Sequence, residues 1–141
     1  MRVVEHPRLA LRRIPPDPVQ FQVIFGSLLG DCRLVGLPRQ RRLRIAHSGS
    51  RSDYVRWKYD RLGAFAADAP ELRDGLAQFE TIAHPLFDDL ARIFATRYSR
   101  HDAIVRLLRP LGLAVWLADV GRLELRAESF LPQQRVLALA S

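Results

Sequence analysis

Two short segments constrain this chain of 141 residues more than anything else in it. Residues 24–33 read Ile-Phe-Gly-Ser-Leu-Leu-Gly-Asp-Cys-Arg, and residues 113–122 read Leu-Ala-Val-Trp-Leu-Ala-Asp-Val-Gly-Arg. Each is apolar around nearly its whole circumference, which predicts a buried helix. Each carries small residues four apart, Gly26 with Gly30 and Ala114 with Ala118, and each ends in an aspartate, Asp31 and Asp119. Small residues one turn apart let two helix backbones approach closely. The pattern therefore predicts that the two helices pack together and bring Asp31 and Asp119 to one end. Adjacent carboxylates repel, and a hard divalent cation such as Mg²⁺ relieves the repulsion by binding both. A metal ion there would polarise a phosphate and activate water. The plainer alternative is a buried helix pair whose aspartates only cap.

Other elements follow from local signals. Asp17-Pro18 predicts the start of the first helix, with an acceptor at the N-cap and a fixed φ at N1, running to about Gly30. Cys32–Gly36 and Arg41–His47 predict two strands around a Gly36-Leu37-Pro38 turn. Alternation in the second strand sends Leu43 and Ile45 to one face and Arg42 and Arg44 to the other. Ser52 is expected to cap a helix over 53–64 with Val55, Tyr59 and Leu62 inward. Leu76–Ile82 suggests a strand. His84-Pro85 opens a helix with Asp88 and Asp89 in its first turn and Leu86, Phe87, Leu90, Ile93 and Phe94 on its apolar side. Leu111–Asp119 is the second apolar helix, Leu123–Ala127 a further strand and Gln133–Ala140 a last helical piece.

Charge is concentrated. Residues 33–61 hold eight arginines and Lys58 against Asp53 and Asp60, a surplus of seven that equals the net +7 of the whole chain. Residues 1–32 sum to +1 and residues 62–141 to −1. All basic residues except Lys58 are arginine, whose planar fork suits phosphates and guanine edges. One cationic segment points to a polyanionic partner, most simply nucleic acid. The single cysteine, Cys32, allows no internal disulfide and suits a reducing cytosol, so a cytoplasmic protein is expected. No apolar stretch is long enough to span a bilayer, and no membrane partner is expected. His6, His47, His84 and His101 lack metal-ligand spacing, and no motif pairs Cys32 with a histidine as a thiol dyad.

Several motifs, in order, resemble the LAGLIDADG homing endonucleases, in the branch whose first motif reads about GSLLGDG. Here it is Gly26-Ser-Leu-Leu-Gly-Asp31-Cys32. Ile45-Ala-His-Ser48 with Asp53-Tyr54-Val-Arg-Trp57-Lys58-Tyr59 resembles "hS…dYlxWKy", and Phe79-Glu-Thr81-Ile-Ala-His84-Pro85 resembles "F.T.sHP". Leu108-Arg-Pro-Leu111-Gly-Leu-Ala114-Val-Trp116 resembles "LtplaLAiW", which leads into "fmDDG", and Glu128-Ser129-Phe130 resembles the following "qsF". The resemblance covers about residues 19–134. It implies an α+β fold of αββαββα repeats that pair through their motif helices, with sheets lying on double-stranded DNA. The chain would hold one such repeat over about 17–108, a second motif helix and an incomplete second repeat over about 109–141, preceded by an arm over 1–16. By the same resemblance Asp31 is the first metal-binding, catalytic acid, with Mg²⁺ or Mn²⁺ as cofactor. Arg33, Arg42 and Arg44 face DNA, and Arg39 and Arg41 near the hairpin tip contact phosphates.

The second motif departs from the pattern. The family's acid directly precedes the last glycine, but Gly121 is preceded by Val120, which cannot ligate a metal. Asp119 matches Asp31 in the chain's own echo, yet one residue along a helix is a turn of about 100°. Only 20 residues follow Gly121, too few for a second full repeat. The expectation is a monomer with internal pseudo-symmetry or a homodimer, free-standing rather than flanked by splicing segments. Three readings follow: metal-assisted hydrolysis of duplex DNA by Asp31, with Asp119 as its partner only if the helix end is irregular; DNA binding on the same scaffold with catalysis lost; or a non-functional remnant.

Overall fold

Asp17 starts the first helix by a reciprocal cap. Its Oδ1 accepts from the Gln20 amide at 2.8 Å, while its own N–H donates to the Gln20 side chain at 2.9 Å. Pro18 occupies N1, where its missing N–H costs nothing. In the computed structural model, which describes residues 14–121, this helix is α1, Pro18–Leu29, and the chain leaves it at Gly30. Strands β1 (Arg33–Val35) and β2 (Arg42–Ser48) follow as an antiparallel pair with Leu34 opposite Leu43. A short 3₁₀ turn, Gly49–Arg51, leads into α2, Ser52–Leu62. Ser52 is the first helical residue and not the cap; the Ser48 hydroxyl caps the preceding turn instead, accepting from the Ser50 amide. The extra turn moves the capping position upstream.

Strands β3 (Glu71–Arg73) and β4 (Leu76–Glu80) form a hairpin whose two turn residues, Asp74 at φ 54° and Gly75 at φ 76°, both lie in the left-handed region. That is the backbone a tight two-residue hairpin requires. The helices α3 (Pro85–Phe94), α4 (Arg97–Leu107) and α5 (Pro110–Asp119) complete the described chain. His84 caps α3 through Nδ1, which accepts from the Leu86 amide at 3.0 Å. The strands form one antiparallel sheet in the order β1-β2-β4-β3. The element order through α3 is the expected αββαββα, with α4 and the second motif helix α5 after it. Residues 1–13 of the expected 1–16 arm, the strand at Leu123–Ala127, the last helix at Gln133–Ala140 and the Glu128-Ser129-Phe130 motif lie outside the described residues.

One face of the sheet is greasy and covered. Leu43, Ile45, Ala77 and Phe79 are buried against the helices, together with Val23, Ile24, Phe25, Val55, Trp57, Leu62, Phe87 and Val115. Tyr54 and Trp57 are both core residues, while Tyr59 is only half-buried. Side chains on the other face, including Arg33, Arg44 and Gln78, are exposed or half-exposed.

Helices α1 and α5 pack together as the small-residue pattern requires, in a register of their own. A Cβ at Gly26 would collide with the Gly112 carbonyl and with Val115, and one at Gly30 would collide with Asp119. Gly112 is equally tight against the Gln22 side chain. The close approach is therefore made by three glycines, while Ala114 and Ala118 are fully buried beside it. Gln22 stitches the pair to α4: its Nε2 donates to the Leu107 carbonyl at 2.9 Å and its Oε1 accepts from the Arg109 amide at 2.8 Å. These bonds satisfy polar groups at the end of one helix and the start of the next. No helix among the described residues is long and apolar enough to cross a membrane.

Candidate nucleic-acid interface and the paired helix ends

The exposed face of the sheet starts directly after α1. Arg33 lies opposite Arg44 across the β1–β2 ladder, and Arg42 is two residues from Arg44, so all three share one face. Like charges directly opposite are unfavourable in a sheet unless something answers them. Here neighbouring β4 answers: Arg42 Nε donates to Glu80 at 2.8 Å and Arg44 Nη2 to Gln78 Oε1 at 2.7 Å. Arg33 is exposed. These exposed or half-exposed partners hold the guanidinium forks in place at little energetic gain.

The hairpin tip is arranged differently. Arg39 has φ 71°, unusual for a residue with a side chain, and its amide donates to both oxygens of Asp88 at 3.1 and 3.3 Å. Arg41 Nη1 reaches the same carboxylate at 3.2 Å. Asp88 thus clips the tip to the first turn of α3. It leaves the Arg39 side chain exposed and engages that of Arg41.

At the paired helix ends the two aspartates meet but do different work. Asp31 is exposed, and among the described residues its carboxylate has no cationic partner. Asp119 is 5 % exposed, and both its oxygens are taken. Oδ1 accepts from Lys58 Nζ at 2.7 Å and from the Tyr54 hydroxyl at 2.5 Å. Oδ2 accepts from the Asp31 backbone amide at 3.0 Å, with the Cys32 thiol 3.6 Å away. In place of two carboxylates sharing a cation, one carboxylate orders the backbone beneath the other. Gly30 faces Asp119 across the pair, so the residue one step beyond each is Asp31 on one helix and Val120 on the other. Val120 is half-exposed and offers no ligand atom.

Beneath Asp31 lies a sealed polar cluster. Cys32 Sγ, His47 Nε2 and an Asp119 oxygen lie within 4.8 Å of one another, a set that elsewhere holds a transition metal. Here the Lys58 ammonium lies among them, 3.1 Å from His47 Nε2 and 3.6 Å from Cys32 Sγ, and its side chain is fully buried. Burial first, and the Lys58 charge second, lower the His47 pKa to about 4. The neutral imidazole accepts from Lys58 through Nε2, which leaves the proton on Nδ1, a buried atom with no hydrogen-bond partner. Burial pushes the Cys32 thiol up to about 11, so it stays protonated and is no nucleophile despite His47 Nε2 at 3.8 Å. Burial, followed by the Asp119 charge, drives the Tyr54 hydroxyl strongly upward.

Lys58 and Tyr54 as partners of Asp119 are not readable from spacing, because the contacts join residues 61 and 65 positions apart. The available signal is that Tyr54 and Lys58 are four residues apart and so lie on one helix face.

Comparison with known proteins agrees with this architecture. Residues 21–137 match the family model described as the LAGLIDADG DNA endonuclease family. The chain is 33% identical over 122 residues to a RecA protein of Mycolicibacterium chitae, and 30% identical over 114 residues to one of Mycobacterium shimoidei. Those alignments cover 82% and 77% of this chain but only 28% and 27% of the relatives, so the chain corresponds to under a third of their length. In structure it is similar to the homing endonuclease I-WcaI bound to its DNA recognition sequence, with a TM-score of 0.62 at 17% identity, over 84% of this chain and 59% of that one. The fold is that of a homing endonuclease, and the chain belongs to the LAGLIDADG DNA endonuclease family.

Proposed function

We propose that the chain binds double-stranded DNA across the exposed face of its sheet, with Asp31 as the one acid placed to serve phosphodiester hydrolysis. The observation that carries this is continuity. Arg33, Arg42 and Arg44 share one face, and that face begins two residues after the exposed carboxylate. The arginine forks suit phosphates and guanine edges, and the sheet fixes their spacing. The internal α1–α5 pairing favours a monomer, and a single cysteine, which allows no internal disulfide, accords with a cytoplasmic protein.

The donor set fits Mg²⁺ or Mn²⁺ on the Asp31 side only. Asp31 supplies an exposed hard oxygen with no competing cation among the described residues, whereas Asp119 has both oxygens engaged and Val120 has none. Asp31 would hold such a cation, whose chemistry would be Lewis-acid polarisation of a phosphodiester and activation of water. The chain's own part is to present the Asp31 carboxylate, hold its backbone through Asp119 and grip the duplex with the arginine face. A second reading, DNA binding without hydrolysis, is favoured by the valine at 120.

Selection from a randomised duplex library, followed by incubation of the selected DNA with Mg²⁺ and with Mn²⁺, separates the two. Cutting that Asp31→Asn abolishes establishes hydrolysis. Salt-sensitive binding without cutting establishes the second reading, and no salt-sensitive binding at all overturns both.

A further inference from the structure

Arg51 borders the buried cluster, against the ring of Tyr54, and its charge adds to burial and to the charge of Lys58 in lowering the His47 pKa. It ends the 3₁₀ turn before α2, and its side chain crosses to the end of α5, where Nη2 donates to the Ala118 carbonyl at 2.5 Å. The guanidinium lies 4.7 Å from the centre of the Tyr54 ring, a cation–π contact with a core residue. Among the described residues no carboxylate forms an ion pair with it, and the side chain is only half-buried. A guanidinium has five N–H donors, and the Ala118 carbonyl uses one nitrogen. On a half-buried side chain the remaining N–H groups reach solvent, where a phosphate oxygen can take the place of water.

Its place gives the charge a direction. Ala118 is adjacent to Asp119, whose carboxylate accepts from the Asp31 amide, and β1 begins two residues later at exposed Arg33. Arg51 therefore adds a positive charge at the α5 end, where Val120 offers no outward acid. We infer that Arg51 anchors a backbone phosphate of the duplex at the α5 end. This rests on the proposal that duplex DNA lies across the sheet and the helix ends.

The test is the salt dependence of binding to a mixed-sequence 30-base-pair duplex, measured by fluorescence anisotropy over a NaCl series. Each phosphate contact contributes about 0.9 to the slope of log K against log [salt]. Arg51→Gln keeps an N–H for the Ala118 carbonyl but has no charge, and should lower the slope by about 0.9. Arg51→Lys should keep the slope, and Arg51→Met should match the glutamine variant. A wild-type slope in Arg51→Gln, whatever happens to affinity, would overturn the inference while leaving DNA binding by the sheet intact. So would loss of folding in both uncharged variants, which would make Arg51 a cap of α5. An unmodified chain without salt-dependent binding would overturn the DNA proposal itself.

Discussion

The ends of α1 and α5 meet at one place and share a similar apolar run, yet they face in opposite chemical directions. At the end of α1 the chain passes through Gly30 to Asp31, which stands in solvent at the head of the arginine-bearing strands. At the end of α5 the aspartate comes one residue earlier, facing Gly30, and is absorbed into the core by Lys58 and Tyr54. The residue left outside is Val120. A shift of one helical position decides whether a carboxylate is available to a ligand or serves as a counter-ion for the fold. An aspartate in the right motif is therefore not enough; the face it lands on sets its chemistry.

The largest effect should come from breaking the inward end. Lys58→Met leaves Asp119 as an uncompensated buried charge, which costs about 3–5 kcal/mol. Lys58→Met with Asp119→Asn removes both charges while keeping a side-chain acceptor at 119, and should recover much of that loss. Urea unfolding of the two variants checks the pair, and equal losses would mean that Asp119 is not the partner of Lys58.

Acid should act through His47 on the same end. Its pKa is about 4 in the fold against 6.5 when free, so the unfolded chain binds more protons between those values. Stability from this group is complete above about pH 6.5 and is lost as pH falls toward 4, by on the order of 3 kcal/mol. Urea midpoints between pH 7.5 and 5 should fall in the natural chain and fall less in His47→Gln.

Helix approach should matter next. Gly26→Ala drives a methyl group into the Gly112 carbonyl and should cost about 1–3 kcal/mol in thermal or urea unfolding. The smallest change is Val120→Asp, which places an acid on the outward side of α5. A carboxylate at a helix C-terminus costs about 0.3–1 kcal/mol at low salt. Added Mg²⁺ should recover that cost if the installed acid and Asp31 share a cation, as unfolding midpoints with and without Mg²⁺ would report.

Much of the architecture was legible because each element carries its own pattern. Asp17-Pro18 and His84-Pro85 mark helix starts, and the alternation from Arg42 to Ile45 assigns both sheet faces correctly. Two elements went unread. Strand β3, Glu71–Arg73, is exposed along its whole length, so no apolar alternation marks it; the Asp74-Gly75 turn was the usable signal. Helix α4 buries only Ala103 fully, so its apolar period is faint. At the site, the apolar character and terminal acids of α1 and α5 were visible, and so was the missing acid at Val120. What stayed hidden was the internal use of Asp119. Lys58 fits the "WKy" motif and equally a solvated helix face, and nothing near it in sequence marks the carboxylate that the fold brings against it from 61 positions away.

The central claim is that the cationic face beginning beside Asp31 holds duplex DNA. It is tested most directly by titrating a 30-base-pair duplex with the natural chain and with a variant carrying Arg33→Gln, Arg42→Gln and Arg44→Gln, at several salt concentrations. The account predicts a steep slope of log K against log [salt] for the natural chain, reduced by about two or more in the variant at unchanged folding stability. An equal slope in both proteins, or binding insensitive to salt in the natural chain, would contradict it.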